Sequence, residues 1–340
     1  MGTLQTTSNK NSIDLTKFIM AICVIAIHTG PLGHCKNYSI LTIYDLIVSM
    51  AVPFFFLASG YLLAVKFREY DPKEVKIRIV FKQLSKIIRM YFVWNLIYLP
   101  LAIYDYYLWD TSVTKAIFYY IKNFVFIGEH YNSWHLWYLL STIYAFLFVL
   151  LLLRMNVKPI GMLIVSALIS IISIGIDELT VSSSSSLNIL ELAKKIIGYT
   201  IANGRIFQGL IFMPIGIYMA HKVIAPKICA IVFAVCFAGN YFVTNSVISN
   251  YLLIFTSIAL FGVIININLK DHLIYPILRT MSTDIYLIHM YIWTFYYLCV
   301  YGKKQFGLDS FIFTTALSVI ISYLYYMCKK YVGTKKLSWK

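Results

Sequence analysis

Charge is scarce in this chain. Asp, Glu, Lys and Arg make up only 13% of its 340 residues, while 60% are apolar, too little charge to cover the surface of a water-soluble domain of that length. A soluble globular enzyme is excluded. Acid is scarcer still, with 14 Asp and Glu against 29 Lys and Arg and a net charge of +15. That excess is not a nucleic-acid footprint, because the bases fall in short loops between apolar stretches and not on one basic domain. Nucleic acid is not an expected partner. The six cysteines, Cys23, Cys35, Cys229, Cys236, Cys299 and Cys328, show neither metal-ligand spacing nor a paired framework. They read as small apolar residues, and no metal is expected. No small-residue cleavage site follows the first apolar stretch, which therefore reads as a retained helix and not as a signal peptide.

What fills the chain is a series of apolar stretches long enough to cross a hydrocarbon core of about 30 Å as helices. They lie near residues 15–35, 40–65, 90–108, 136–153, 160–176, 205–220, 228–245, 249–266, 281–300 and 311–328. The expected fold is all-α, a polytopic membrane bundle of about ten transmembrane helices, with residues 1–340 forming one integral domain. Positive charge must then alternate between consecutive loops. Lys66, Arg68, Lys73, Lys76, Arg78, Lys82, Lys86 and Arg89 mark one side as cytoplasmic, and Lys10, Arg154, Lys158, Lys222, Lys227, Lys270, Arg279 and the terminal lysines share it. Both termini are thus expected in the cytoplasm, with residues 1–14 as a tail, the chain in the cytoplasmic membrane, and its basic loops against anionic lipid head groups. One pair, Lys303 and Lys304, dissents by falling on the outer side.

Residues 66–89 place Val75, Ile79, Val80 and Leu84 among bases, which predicts an amphipathic segment on the cytoplasmic surface. Residues 111–128 can lie similarly on the outer face. The serine run 182–186 reads as an external linker.

Ionisable side chains inside such spans are expensive and mark function by default. The first span carries Asp14, Lys17 and His28. Lys17 and His28 are eleven residues apart, three helical turns plus about 20°, so both lie on one face about 16 Å apart along the axis. Lys17 falls at the cytoplasmic interface and His28 toward the outer half, so one face can touch a donor on one side and an acceptor on the other. Histidine can take a proton from an alcohol or carry an acyl group on its ring nitrogen, which makes His28 the catalytic candidate. Glu129, His130 and His135 cluster with Trp134 and Trp137 at the outer end of the fourth span, where a sugar can stack on an aromatic ring and meet acid or base groups. His289, within the ninth span, either assists His28 or bonds a neighbouring helix. Arg205 and Asp284 are further buried charges, candidate structural ion partners.

The first span, the run Val52-Pro53-Phe54-Phe55-Phe56-Leu57-Ala58-Ser59-Gly60-Tyr61 and the run Trp134-His135-Leu136-Trp137-Tyr138-Leu139 resemble the acyltransferase 3 family, as do Arg89, Phe212 to Gly216 and Ser282 to His289. The resemblance runs over nearly the whole chain. It implies an enzyme that moves an acyl group, commonly acetyl, from cytoplasmic acyl-CoA to a hydroxyl of a cell-envelope glycan or lipid-linked sugar outside. It also implies that Lys17 and His28 act together, with Asp14 and Ser59 in support. The family usually has Arg where this chain has Lys17, so a bidentate phosphate clamp is lost and a charge is kept. Lys82, Lys86 and Arg89 at the membrane entrance are then the candidates to hold the donor's phosphates.

The chain also resembles the membrane half of vancomycin-resistance serine racemases, an acyltransferase-like module linked to serine uptake. A transporter of L-serine is therefore the competing class, since intramembrane ionisable groups also build solute pathways. Internal symmetry would favour it, and no repeat is visible between the first and second five spans. A catalytically inert scaffold is a third class, one that would tolerate loss of His28 and Lys17.

Overall fold

The computed structural model of the chain describes residues 11–68, 70–130, 132–181, 205–222 and 224–337. Among them there is no strand, and each of the ten apolar stretches falls on a helix. The serine run lies outside the described residues, as do the first ten residues of the expected tail. The remainder of that tail, residues 11–14, is not a tail: it is already the first turn of helix α1, Asn11–Thr29.

The second apolar stretch is two helices, α2 (Tyr38–Ser49) and α3 (Ala51–Ala64), broken at Met50. Pro53 explains the break: it has no N–H to offer the Ser49 carbonyl, and its ring crowds that oxygen. The third stretch departs further from expectation. Residues 73–89 do not form a separate surface segment but run without interruption into the following span as one 36-residue helix, α4 (Lys73–Leu108). Neither Gly nor Pro occurs between Lys73 and Leu99 to stop it, and its buried residues Val80, Leu84, Tyr91, Asn95, Tyr98 and Ala102 recur every three, four or seven positions along one stripe. At about 54 Å it exceeds any hydrocarbon core.

Next come α5 (Val113–Lys122), a π turn over Asn123–Ile127 and a 3-10 turn over Trp134–Leu136 that leads into α6 (Trp137–Arg154). The π turn ends at Gly128, whose φ of 78° is one that residues with a side chain rarely adopt, and a Cβ there would lie 2.6 Å from the Cα of Trp137. The rest of the chain is α7 (Pro159–Val181), α8 (Arg205–His221), α9 (Pro226–Phe242), α10 (Ser246–Ile265), α11 (Ile274–Tyr301) and α12 (Leu308–Leu337).

Seven helical segments among the described residues are long and apolar enough to cross a membrane: α1, α2 with α3, α4, α6 with its leading turn, α7, α10 and α12. Helices α8 and α9 are apolar but shorter. Helix α11 is 28 residues long, and its sequence carries Arg279, Asp284 and His289. The chain is a multi-pass membrane protein.

Two contacts organise the centre. Helices α3 and α8 cross at backbone contact, where a Cβ on Gly60 would fall 2.0 Å from the Met213 carbonyl oxygen and one on Gly216 would fall 2.2 Å from that of Leu57. Small residues permit this approach, as is usual where membrane helices pack. Helices α1 and α11 are clamped by polar groups: Arg279 Nε donates to both Asp14 carboxylate oxygens at 2.9 Å, and Asn11 Nδ2 donates to Asp271 at 3.1 Å.

Candidate active site

Lys17 and His28 do share a face of α1, and each opens into its own cavity. Lys17 lines one of about 210 Å³ together with Ser59, Lys66, Gln83 and Ser282. His28 lines one of about 480 Å³ together with Glu129, Trp134, His135, Trp137, Arg205 and Phe306. The two cavities have Tyr138 and Tyr286 in common. These rings lie 5.4 Å apart, edge to face, and form the partition between them.

His28 is not isolated. Its ring centroid is 5.3 Å from that of His289 and 6.2 Å from that of Trp134, and His289 is 5.0 Å from His135. Three helical elements, α1, the 134–136 turn and α11, thus bring three imidazoles together from positions 28, 135 and 289. The Nδ1 of His289 faces the Ile285 carbonyl at 3.2 Å. A carbonyl only accepts, so that bond puts the proton on Nδ1 and leaves Nε2 as the basic nitrogen; no hydrogen-bond partner for it occurs among the described residues. Tyr286 holds the group in place by donating its hydroxyl to the His135 carbonyl. Such a cluster can accept a proton at one ring and settle the charge over a second, which is the work of general-base catalysis.

The chain's similarity to known proteins bears on what that base serves. A family model described as an acyltransferase domain, that of the acyltransferase 3 family, matches residues 10–327. The chain belongs to this family. Among named relatives, an amino-acid racemase of Enterococcus faecalis is 34% identical over 148 residues, 42% of this chain and 20% of its own length. A second Enterococcus faecalis amino-acid racemase is 33% identical over 133 residues, 39% of this chain and 17% of that one. A serine/alanine racemase of Enterococcus gallinarum is 34% identical over 93 residues, 27% and 13% of the respective chains. The matches span a fifth or less of the relatives' length. No solved structure matches the chain.

The other predicted residues distribute around these cavities. Glu129 and Arg205 are ion-paired on the wall of the His28 cavity. Arg205 therefore does not pair with Asp284, which lies on α11 toward the Lys17 end, five residues before His289, with one buried carboxylate oxygen lacking a partner among the described residues. His130 does not line the His28 cavity. It stacks on Tyr120 at 4.1 Å beside a neighbouring cavity of about 320 Å³ that also contains Glu129 and Trp134. Burial pushes its ring down to about 4. Asp14 is absorbed by Arg279, one turn before Lys17.

Lys82, Lys86 and Arg89 are exposed on α4 and do not line the Lys17 cavity; Gln83, Ile87 and Met90, each one residue further on, do. A step of one residue turns a helix by about 100°, so the basic row runs along the edge of the opening and the polar and apolar row forms its wall.

Two features of the site escaped sequence reasoning. One is the tyrosine partition, whose members lie in the resembling runs but carry no charge to draw attention. The other is Lys304. Its ammonium sits 3.4 Å from the Trp134 ring centroid and within 5.5 Å of Trp293 and Phe306, a cation–π arrangement at the rim of the His28 cavity. Burial lowers its pKa to about 8 against the opposing charge of Asp105. The 302–307 loop is tied to the end of α1 by the Gly307 N–H, which donates to the Thr29 carbonyl at 2.9 Å. A signal for Lys304 did exist: it breaks the charge pattern of the loops.

Proposed function

We propose that this protein is an acyltransferase that moves an acyl group, acetyl in the first instance, from cytoplasmic acyl-CoA to a hydroxyl of an extracytoplasmic envelope glycan or lipid-linked sugar. In this reading ten helices cross the cytoplasmic membrane, both termini are inside, the Lys17 cavity faces the cytoplasm and the His28 cavity faces out. The observation that carries it is the pair of cavities set back to back along one face of α1. A donor entering beside Lys17 can send its thin, uncharged pantetheine arm past Tyr138 and Tyr286 to His28. The bulky, charged nucleotide stays behind among Lys66, Lys82, Lys86 and Arg89.

His28 then takes the proton of the acceptor hydroxyl as that oxygen attacks the thioester carbonyl. The C–S bond breaks, and the departing thiolate leaves protonated as CoA. A two-step variant has His28 carry the acyl group before passing it on. Trp134 and Trp137 offer apolar faces for a sugar ring, and His289 shares the charge that develops on His28. No metal has a role in this scheme.

The second reading is uptake of a small solute such as L-serine, since serine is named in one of the relatives that share this segment, a serine/alanine racemase. One experiment separates the two. Inverted membrane vesicles are given acetyl-labelled CoA, and label is followed into envelope glycan, lipid and protein for the parent chain, His28→Ala and Lys17→Ala, with donor hydrolysis controlled. Transfer that disappears in His28→Ala at equal expression supports the acyltransferase route. Absence of transfer to any envelope acceptor, together with histidine-dependent serine uptake, overturns it in favour of the transporter.

A further inference from the structure

A further cavity, of about 750 Å³, is neither of those on the Lys17–His28 face. It lies at the Lys17 end of the bundle, against Tyr61 of α3. Ser59, Leu62 and Leu63 of the same helix line the Lys17 cavity, and on a helical projection they point more than a right angle away from Tyr61. The two cavities therefore flank α3.

What distinguishes this cavity is its charge. Arg68, Lys73, Lys76, Lys158, His221 and Lys222 line it, and no Asp or Glu does. They come from three separate junctions and the helix ends beside them, α3 to α4, α6 to α7 and α8 to α9. Asn156 helps by turning the end of α6 with a φ of 57°, which sends Lys158 and Pro159 back to the cavity. The only ion pairs among the described residues are Arg205–Glu129 and Arg279–Asp14, so none of these cations is neutralised by a carboxylate there. Lys73 donates to the Arg154 carbonyl at the end of α6 at 2.6 Å, the His221 Nδ1 faces the Ile217 carbonyl at 2.9 Å, and the Arg68 backbone N–H, not its guanidinium, donates to Asp71 at 2.8 Å.

The tendency of Lys and Arg to gather on one side of a membrane accounts for the side but not for the convergence. Lys227, Lys270 and Lys329 lie at the same end and stay out of the cavity. Five obligate cations around one concavity repel each other unless a multiply charged anion sits among them. Phosphate is the compact anion that suits both an arginine fork and lysine point charges. The first turns of α4 and α7 add their positive dipole ends, while the last turns of α6, α8 and α10 oppose them. The rear wall is apolar, with Phe67, Met162 and Ile217.

We propose that this cavity is a second ligand site, separate from the donor and acceptor cavities, that binds a phosphate-bearing anion. The phosphate belongs either to the head group of an anionic phospholipid or to a soluble phosphate compound.

The test uses the purified, delipidated full chain in detergent and reads its melting temperature with phosphatidylglycerol, inorganic pyrophosphate or oleate, the last an anionic amphiphile without phosphate. It compares the parent with Lys76→Gln/Lys158→Gln/Lys222→Gln and with the control Lys227→Gln/Lys270→Gln/Lys329→Gln. The expected result is a saturable rise of several degrees with a phosphate probe, lost in the first triple variant and kept in the second. A rise with phosphatidylglycerol alone identifies a lipid head group, and a rise with pyrophosphate a soluble phosphate. If the first triple variant does not fold, Lys222→Glu, at an exposed loop position, should show at least a tenfold weaker response. The proposal fails if neither phosphate probe binds the parent, if oleate matches them, or if the response survives in the cavity variants.

Discussion

His28 and Lys17 are the clearest case of single residues announcing a site, because an ionisable group in an apolar helix has to meet a cavity or a partner. Here each meets a cavity. A positioned general base contributes about 10²- to 10⁴-fold, so His28→Ala should lower acyl transfer by that order at unchanged expression. His289→Ala should lower it less, since its ring stands beside His28 with a centroid separation of 5.3 Å. Label transfer per unit of protein checks both. His130 makes a prediction of a different kind. Its folded pKa of about 4 lies below the ordinary histidine value, so the folded chain binds fewer protons than the unfolded one between those limits. Stability at this site is fully present above about 6.5 and is lost as pH falls toward about 4. The melting temperature of His130→Phe, which keeps the stack on Tyr120, should therefore fall less steeply over that range than the parent's.

At the scale of elements, the α3–α8 crossing depends on two hydrogens where other residues have side chains. A methyl on Gly216 would lie 2.2 Å from the Leu57 carbonyl oxygen, and backbone cannot step aside as a flexible side chain can. Gly216→Ala should cost about 1–3 kcal/mol through overpacking, read as a lower melting temperature in detergent. Gly175→Ala, where nothing lies within 4 Å of the added methyl, should leave it unchanged or raised. Helix positions were legible from run length alone, because a span needs an unbroken apolar stretch. Helix ends were less so. Run length takes Arg89 for a boundary, yet α4 crosses it, since a change from basic to apolar residues alters a helix's surroundings without ending its hydrogen bonding. The converse holds at Met50, where the run continues and a proline divides it.

For the whole molecule, the proposed topology assigns each loop a side, and impermeant labelling reads sides directly. Cysteines introduced at Asn156 and Lys227, on a background lacking exposed native cysteines, should react with a membrane-impermeant maleimide in inverted vesicles only. Cysteines at Thr111 and Gly302 should react in intact cells only. Any exchange between those sets removes the ten-span reading with both termini inside. Lys303 and Lys304 count against that topology by charge, and of the two Lys304 holds its ammonium against Trp134, Trp293 and Phe306.

Hydrophobic run length and the 3.6-residue turn are local properties, so the solvent, the helices and the common face of Lys17 and His28 are legible in the sequence alone. It also marked the chain as resembling acyltransferases of this kind. What those residues meet depends on the packing of the helices. The grouping of His28 with His135 and His289, the pairing of Arg205 with Glu129 instead of Asp284, the tyrosine partition and the convergence of three basic loops on one cavity all join positions far apart in the chain. Such contacts are set by which helices pack together and at what depth, and no local pattern of residues encodes that.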